Sequence, residues 1–412
     1  MKRLFLTGLM MLAAFSVVTA QQSENTPKVK LSGFVKTDVI YDSRQVSAAN
    51  GIREGHFYLF PDSALYDADS NDVNDNPAFH ILNIQTRLRA DISGPDVLGA
   101  KSTAAIEGEF FGTSESDLNG FRLRHAFIQL AWPKWVLMAG QNWHPMFPAE
   151  SFPGTLSFNT GAPFTPFSRN PQLRLTRIMG NTNVIISAYS QRDFTSTGPD
   201  GGSNKYLRNS GIPGLDLQIK QGLGSNAFIA AGADYKTLRP ALKTPANFAT
   251  SETIAAYAAY LKFKVKSKAV TVSMIGVYAQ NATDLVMLGG YAVKEVTDSA
   301  RKTCTYTNLN TLSAFVDIAT NGTVFRGGLF AGYSRNLGAD DNIGGAVYAR
   351  GANIDHLMRL SPRFTLQNQH LTLGAELEMT TAAYGTAKAN GSVENTKDIT
   401  NYRLLLSAIY KF

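Results

Sequence analysis

The chain ends in NYRLLLSAIYKF (residues 401–412), and apolar or aromatic side chains occupy every second position of this stretch. One parity carries Tyr402, Leu404, Leu406, Ala408, Tyr410 and Phe412. Because successive side chains of a strand point to opposite faces, one face of this segment is apolar along its whole length. The end of a soluble domain gains little from such a face, since chain termini fray into water. The stretch therefore predicts a strand whose outer face meets hydrocarbon.

The same alternation recurs along the chain, most clearly in residues 82–92, 270–278, 325–333 and 371–379. Helical periodicity is scarce. Alternation over this length indicates strands with one lipid-facing and one water-facing side, as in transmembrane barrels. A secreted β-sandwich is the alternative fold, but such a fold does not require the apolar terminal pattern.

Short connections with turn residues alternate with long polar connections. The short ones lie near residues 93–96, 133–134, 180–181, 222–226, 267–268, 321–322 and 367–369, and the long ones near 43–77, 113–120, 143–170, 193–212, 237–250, 282–308, 335–350 and 385–398. This alternation predicts an all-β, transmembrane, antiparallel up-and-down β-barrel of about 16 strands with both termini on the periplasmic side. An open sheet edge is unfavourable in hydrocarbon, so we expect the last strand to pair with the first strand, near residues 30–42.

The N-terminus has the pattern of a secretory signal peptide. Lys2 and Arg3 precede an apolar run that ends in small residues at Ala20. We expect a signal peptide of residues 1–20, a short periplasmic segment of residues 21–29 and a barrel of residues 30–412. The alternative, an uncleaved membrane anchor, is disfavoured because the apolar run is short for a membrane-spanning helix. The pattern predicts export to a bacterial outer membrane, with lipid and lipopolysaccharide around the barrel.

The charge pattern disfavours nucleic acid as a partner. The formal net charge of +7 hints at anionic partners, but the charges are scattered along the chain. The six histidines are dispersed without metal-ligand spacing, and no G-x-S-x-G motif is present. The sequence therefore predicts neither a cofactor nor an enzyme, although a barrel hydrolase with a Ser–His pair remains an alternative.

A barrel of this width is expected to enclose a water-filled lumen. Strand parity points a set of charged side chains into that lumen: Lys36, Asp38, Arg87, Arg89, Glu107, Glu109, Arg122, Arg124, Arg174 and Arg359. The arginines could form a ladder that attracts anionic solutes, or they could pair with Glu107 and Glu109 across strands and stiffen the wall. Both interpretations stay open, and an inward Arg124 turns His125 toward lipid unless a bulge intervenes.

The stretch WHPMFPAESFPGTLSFNTGAPFTPFSRNP (residues 143–171) is too rich in proline and glycine for a strand and rather apolar for an exposed loop. It follows the fifth predicted strand. By similarity to general porins, we expect loop 143–170 to fold into the lumen and narrow it, with Glu150 and Arg169 flanking the constriction. The alternatives are a surface loop or a subunit contact.

An acidic stretch, DSALYDADSNDVND (residues 62–75), has some of the spacing of a calcium loop at Asp67, Asp69 and Asn71. Glycine is missing at the turn position, and Ala78 stands where a bidentate glutamate is needed. A solvated acidic loop is therefore the favoured interpretation over a calcium site.

Five stretches resemble one porin family: GFVKTDVIYDSR (33–44), EGEFFG (107–112), RLRHAFIQL (122–130), AGQNWHPMF (139–147) and RNPQLRLTR (169–177). In this order they resemble the DcaP-like outer-membrane porins, with the likeness clear over residues 33–177. The resemblance implies a homotrimer of 16-stranded barrels and uptake of small, often anionic solutes such as dicarboxylates. The matching positions are Lys36, Asp38, Glu107, Glu109, Arg122, Arg124, Arg169 and Arg174.

The sequence thus predicts a porin for passive diffusion of small hydrophilic, preferentially anionic solutes. Two alternatives come from other classes of protein. One is an outer-membrane barrel enzyme of the lipase or esterase type. The other is a plugged barrel with a structural or adhesive role.

Overall fold

A computed structural model describes residues 26–48, 57–112, 117 and 119–412. The predicted signal peptide and residues 21–25 of the predicted periplasmic segment lie outside the described residues. Within the described part of the chain, no helix combines the length and the apolar character needed to cross a membrane.

The described residues form 23 strands, labelled β1 to β23 in chain order. Their bounds are β1 Lys28–Asp42, β2 Val46–Ala48, β3 Tyr58–Pro61, β4 Ala78–Leu82, β5 Arg87–Ser93, β6 Lys101–Glu109, β7 Arg122–Ala131, β8 Trp135–Trp143, β9 Arg169–Met179, β10 Thr182–Tyr189, β11 Thr197–Gly198, β12 Gly201–Gly202, β13 Gly214–Gly222, β14 Ala227–Leu238, β15 Ile254–Lys266, β16 Val270–Gln280, β17 Gly289–Asp298, β18 Thr303–Thr320, β19 Phe325–Gly338, β20 Val347–Arg350, β21 Ile354–Gln367, β22 Leu371–Ala387 and β23 Val393–Lys411. A single helical turn, α1 Lys205–Arg208, and a 3-10 turn, Thr283–Leu285, interrupt the loops.

The barrel itself is closed and antiparallel and has sixteen strands, as the sequence predicts. β4 and β5 are two halves of one barrel strand, since both pair with β1. The ring closes between the two ends of the chain, where β1 pairs with β23 in the register Val35↔Tyr410 and Asp42↔Arg403. Every barrel strand therefore has a neighbour on both sides, which leaves no open edge in hydrocarbon.

Side-chain burial in β23 follows the predicted alternation. Arg403 and Leu405 are buried inside the barrel, whereas Tyr402, Leu404 and Leu406 are exposed on its outer wall. Tyr410, Phe412 and Trp135 are also exposed, at the barrel end that carries the chain termini and the short turns. Phe325 and Phe364 stack there at 5.8 Å. Such a band of aromatic rings is typical of the interface between a membrane and water.

The opposite end of the barrel has more structure than the sequence indicates. Residues 282–308 and 335–350 look like loops in the sequence, but the structure corrects this: β17 pairs with the first part of β18 and with β20. The turn at residues 298–302 lets the alternating apolar residues of β17 fold back onto β18. A small sheet thus continues the barrel wall beyond the membrane.

Among the described residues, the β2–β3 hairpin and residues 144–168 and 281–288 fold into the barrel. Together with Phe111, from the connection after β6, they build an apolar core inside the lumen, in which the ring of Phe57 lies 4.8 Å from that of Phe167, and Phe111 stacks on Phe158 at 4.3 Å. The inward folding of loop 143–170 is confirmed. In contrast, the interpretation of 43–77 as a purely polar loop was wrong, because the apolar residues 57–60 are buried in this core.

An ion pair ties the closing seam together. The side chain of Arg403 donates to Asp42 through Nε at 2.8 Å and Nη2 at 2.7 Å, and both side chains are almost fully buried. We expect Arg403→Met to lower the free energy of unfolding by about 3–5 kcal/mol, because it leaves a buried carboxylate without its cation. The measurement is urea-induced unfolding in detergent micelles.

The exposed Arg326 on β19 provides the matched control. Arg326→Met should change the free energy of unfolding by less than about 1 kcal/mol, as exposed charges usually do. Equal losses in the two variants would show that the seam does not depend on this ion pair.

Candidate functional site

A buried carboxylate, Glu109, lies at the centre of a cluster of charges on the inner wall. Glu109 is fully buried at the end of β6, and four guanidinium groups surround it. The contacts are Arg87 Nη2 to Oε2 at 3.1 Å, Arg122 Nη2 to Oε1 at 2.9 Å, Arg124 Nη1 to Oε2 at 2.6 Å and Arg169 Nη1 to Oε1 at 3.4 Å. One carboxylate cannot offset four cations, so the cluster requires further acidic groups.

Glu107 and Asp193 provide additional negative charge. Glu107, two residues along the same face of β6, lies 2.7 Å from Arg124 Nε and 3.2 Å from Arg89 Nη1. Asp193, from the loop between β10 and β13, lies 2.9 Å from Arg122 Nη1 and 2.8 Å from Arg169 Nη2. Cross-strand pairing with glutamates, one of the two interpretations left open by the sequence, is therefore present in the structure. The carboxylates of the inner wall thus neutralise part of the positive charge of the arginines.

A β-bulge explains how two consecutive residues of β7 point into the barrel. The register of β6 against β7 shifts between Glu107 and Gly108, so that Glu107 faces His125 and Gly108 faces Leu123. Arg124 and His125 are both buried, whereas Ile128 is exposed on the outer wall. An extra residue in one strand has this effect because it breaks the strict alternation of faces.

Aromatic rings hold the guanidinium groups of the cluster in place. Arg122 lies over Phe111 at 4.3 Å, and Arg169 lies over Trp143 at 5.0 Å. Trp143 in turn stacks on Phe147 of the inward loop at 3.7 Å. Planar guanidinium groups stack well on aromatic faces, and such contacts fix their orientation. The inward loop thus positions the arginines as well as narrowing the lumen.

Two cavities adjoin the cluster. A cavity of about 770 Å³ lies toward the long loops, with Arg122, Asp193 and Gln141 among its lining residues. A second cavity, of about 360 Å³, contains Arg87, Arg89, Glu107 and Arg124 in its lining. Within the described part of the chain, the two cavities share no lining residue, and Glu109 bonds to arginines from both. The cluster therefore separates two polar spaces inside the barrel.

Several of the predicted lumenal charges hold the inward loop. Lys36 Nζ donates to the carbonyl of Leu156 at 2.6 Å. Arg359 donates to the carbonyls of Ala162 at 2.9 Å and Leu59 at 2.7 Å, so it ties two inward segments to β21. Lys36 and Arg359 are both buried and both donate to loop carbonyls. Their charges therefore stabilise the position of the inward segments rather than attract solutes.

The other predicted residues lie in different surroundings. Asp38 pairs with Lys36 at 3.1 Å. Arg174 donates to the carbonyl of Trp143 at 3.0 Å, where the inward loop begins. Glu150 is exposed and pairs with Lys220 at 2.6 Å, whereas Arg169 is fully buried in the cluster. The structure thus places Glu150 and Arg169 apart, with different ion-pair partners.

The acidic loop offers little to a calcium ion. Asp67 Oδ1 accepts hydrogen bonds from the backbone N–H groups of Asp69 at 2.9 Å and Asn71 at 2.8 Å, which stabilise the turn. These bonds hold the pKa of Asp67 below its usual range. Among the residues that the structure describes, no three histidine, cysteine or acidic side chains are grouped as a metal site.

Asp193 and Glu376 are missing from the sequence-based set, whereas strand parity also selects Lys262 as an inward-facing charge. Asp193 follows Arg192 in a loop that resembles any other polar connection. Glu376 accepts the backbone N–H groups of Leu156 and Ser157, and Lys262 Nζ donates to the carbonyl of Pro145 at 2.7 Å. Strand parity already pointed Glu376 and Lys262 inward, but their partners are backbone atoms of a loop and leave no signal in the sequence.

Solved structures with the same fold include several outer-membrane proteins. The outer membrane channel DcaP of Acinetobacter baumannii matches with a TM-score of 0.69 and 19% identity, over 95% of this chain and 99% of that chain. OmpT of Vibrio cholerae matches at 0.55 with 9% identity, over 95% and 99%. The anion-selective porin from Comamonas acidovorans matches at 0.54 with 11% identity, over 94% and 100%.

The chain has the fold of an outer-membrane porin. The resemblance to DcaP-like porins is confirmed at the level of the fold. A comparison of the sequence with models of protein families finds no match, and a comparison with curated proteins finds none either. At these identities the shared fold is the finding, and the function has to be argued from the site.

The attachment of the inward loop to Glu376 can be tested by amide hydrogen exchange. We expect Glu376→Ala to speed the exchange of residues 154–160 by about 10–100-fold, because the loop loses the two backbone hydrogen bonds that this buried carboxyl group accepts. Exchange is read by mass spectrometry of the folded protein in micelles. Glu394→Ala, at a half-exposed acidic residue, is the control and should leave this segment unchanged. An unchanged rate in Glu376→Ala would mean that the other contacts hold the loop alone.

Proposed function

We propose that the protein is an outer-membrane porin through which small hydrophilic solutes diffuse passively. The observation that carries the proposal is the pair of polar cavities on either side of the Glu109 cluster, inside a closed barrel with a porin fold. Passive diffusion needs no cofactor and no covalent chemistry, because pore width, desolvation and the local field set selectivity. The proposed location is the outer membrane of a bacterium, with export through a cleaved signal peptide.

The proposed selectivity is for anions, including dicarboxylates. Five arginines of the cluster (Arg87, Arg89, Arg122, Arg124 and Arg169) face four carboxylates (Asp91, Glu107, Glu109 and Asp193). The local balance is therefore positive, and a focused positive field raises the local concentration of anions. The anion-selective porin of Comamonas acidovorans shares the fold, which supports the proposal.

The proposed assembly is a homotrimer embedded in outer-membrane lipid and lipopolysaccharide. A trimer form has been solved for the Vibrio cholerae OmpT, which shares the fold at a TM-score of 0.53 and 9% identity. The outer wall of this barrel exposes apolar side chains along its strands, such as Leu173, Ile186 and Leu217. In a trimer, part of this wall would contact neighbouring subunits and the remainder would contact lipid.

A plugged barrel is the second candidate, and one observation favours it. The inward segments bury an apolar core across the lumen, with Phe57, Phe164, Met287 and Phe330 fully buried. A barrel filled in this way could hold surface loops for a structural or adhesive role. Single-channel recording in a planar bilayer separates the two candidates. Stepwise conductance supports the porin, and persistent silence of folded protein supports the plug.

The two partners of one ion pair provide a test of anion preference. Arg122→Gln should lower the chloride-to-potassium permeability ratio, and Asp193→Asn should raise it, because the two residues carry opposite charges at the same place. We expect each shift to be about two- to fivefold, the size that a single partly screened charge produces. The measurement is the reversal potential across a salt gradient.

Opposite shifts in the two variants would identify the cluster as the selective part of the pathway. Reversal potentials that stay at the wild-type value in both variants would contradict the proposal and would move selectivity away from Arg122 and Asp193.

A further inference from the structure

A third cavity lies among the loops at the end of the barrel opposite the chain termini. Its volume is about 530 Å³, and its walls come from the loops 199–209 and 240–250 and from the small sheet of β17, β18 and β20. Within the described part of the chain, it shares no lining residue with the two cavities beside the Glu109 cluster. The proposed pore therefore gives this cavity no task.

Two tyrosines form an aromatic wall of this third cavity. Tyr306 of β18 and Tyr348 of β20 line it, and their rings pack against Tyr291 at 5.7 Å and 5.2 Å. Tyr291 is fully buried, so it supports both rings from behind. Tyr306 and Tyr348 are half-buried, and their hydroxyl groups have no hydrogen-bond partner among the described residues. Such a ring offers an apolar face beside a polar group, which suits the C–H face and the hydroxyl groups of a sugar.

The same cavity has an excess of positive charge. Three lysines line it (Lys205, Lys243 and Lys302), whereas Asp200 is the single carboxylate among its described lining residues and pairs with Lys205. Lys243 Nζ donates to the side-chain oxygen of Asn247 at 2.9 Å. The ammonium group of Lys302 has neither an ion pair nor a hydrogen bond in the part of the chain that the structure describes. Two cations thus lack a counter-charge, which a ligand with carboxylate groups would provide.

Backbone hydrogen bonds form the walls of the cavity before any ligand binds. In the loop 240–250, the N–H group of Thr244 donates to the carbonyl of Phe248 at 2.7 Å. The N–H group of Arg239 donates to the carbonyl of Tyr206 at 2.9 Å, which ties this loop to α1. A site with fixed walls loses less free energy to ordering when a ligand binds.

We propose that the third cavity binds an acidic saccharide, with a sugar ring against the two tyrosines and its carboxylate groups at Lys243 and Lys302. Neutral side chains that donate and accept hydrogen bonds also line the space, among them Asn209 and Thr250. A ligand rich in hydroxyl groups can pair with them, whereas an acidic peptide would match only the charges. The volume lies within the range of small-molecule sites, about 300–1,000 Å³.

The small sheet continues the barrel wall beyond the membrane, so the bound saccharide would lie at the cell surface. This placement rests on the proposed outer-membrane location. Binding itself does not depend on conduction and can be measured separately.

The test uses the single cysteine of the chain, Cys304, because it lines the cavity beside Tyr306. The rate at which iodoacetamide alkylates Cys304 reports whether the cavity is occupied. We expect trigalacturonate to slow the alkylation in a saturable manner, since a ligand on Tyr306 covers the next residue on the same face of the strand. The methyl ester of trigalacturonate, its neutral match, should need about tenfold more for the same protection. Isothermal titration calorimetry in detergent micelles measures the same binding without the thiol.

Substitutions identify the groups that recognise the saccharide. Lys243→Gln and Lys302→Gln, both at exposed residues, should each raise the half-saturating concentration by about three- to tenfold. Tyr348→Leu keeps an apolar contact with Tyr291 and should weaken binding by about two- to tenfold, because the ring face is lost. Lys397→Gln removes an exposed lysine outside the cavity and should behave like the wild type.

Acidic sugars can come from free polysaccharides or from the core of lipopolysaccharide. Displacement of trigalacturonate by excess lipopolysaccharide would identify the membrane as the source, and failure to displace it would identify free polysaccharide. Either result keeps the site.

Neither protection nor heat with trigalacturonate up to about 10 mM, well above a weak millimolar dissociation constant, would overturn the inference. Equal protection by triglutamate would also overturn it, because charge alone would then be recognised. Unchanged affinity in both lysine variants would have the same meaning. Conductance in potassium chloride separates these failures from failure of the proposed function, since a protein that conducts without binding trigalacturonate keeps the porin and loses the site.

Discussion

The structure depends on one constraint: every backbone N–H and C=O group at membrane depth must find a partner within the protein. A sheet meets this requirement only when its first and last strands pair, and here β1 and β23 do so over the register from Phe34↔Lys411 to Asp42↔Arg403. Closure leaves a space inside the barrel that side chains of the wall cannot fill. The inward segments, the charge cluster and the cavities all occupy that space.

The inside of the barrel is organised by two kinds of contact. Aromatic rings of the inward segments pack against each other, as in the core of a soluble protein. Charged side chains of the wall then hold the backbone of these segments, with Lys36 on Leu156 and Arg359 on Ala162 and Leu59. A charge on the inner wall is therefore not automatically a charge that a solute meets. Lumenal residues have to be divided into those that hold loops and those that face the cavities.

The strands of the barrel wall could be predicted because the sequence pattern of each strand lies within that strand. The period of two in β23, the turn residues and the terminal aromatics can be read from neighbouring positions, and the closed barrel follows from them. The charge cluster was predictable in part. Arg122, Arg124, Glu107 and Glu109 share a face by parity alone. The sequence left open whether a bulge turns Arg124 and His125 to the same side, because that shift depends on the pairing with β6.

By itself the sequence determined the class of the fold and the closing pair of strands. These features depend on alternation and composition, which belong to single segments of chain, whereas the inward direction of loop 143–170 was expected by similarity to general porins. The tertiary structure alone decided which charges meet. Asp193 joins Arg122 and Arg169, Glu150 joins Lys220, and Arg350 remains without a counter-charge among the described residues. These ion pairs depend on how the long loops fold, because they join residues that are distant in the sequence. Such contacts produce no periodic pattern in the sequence from which they could be predicted.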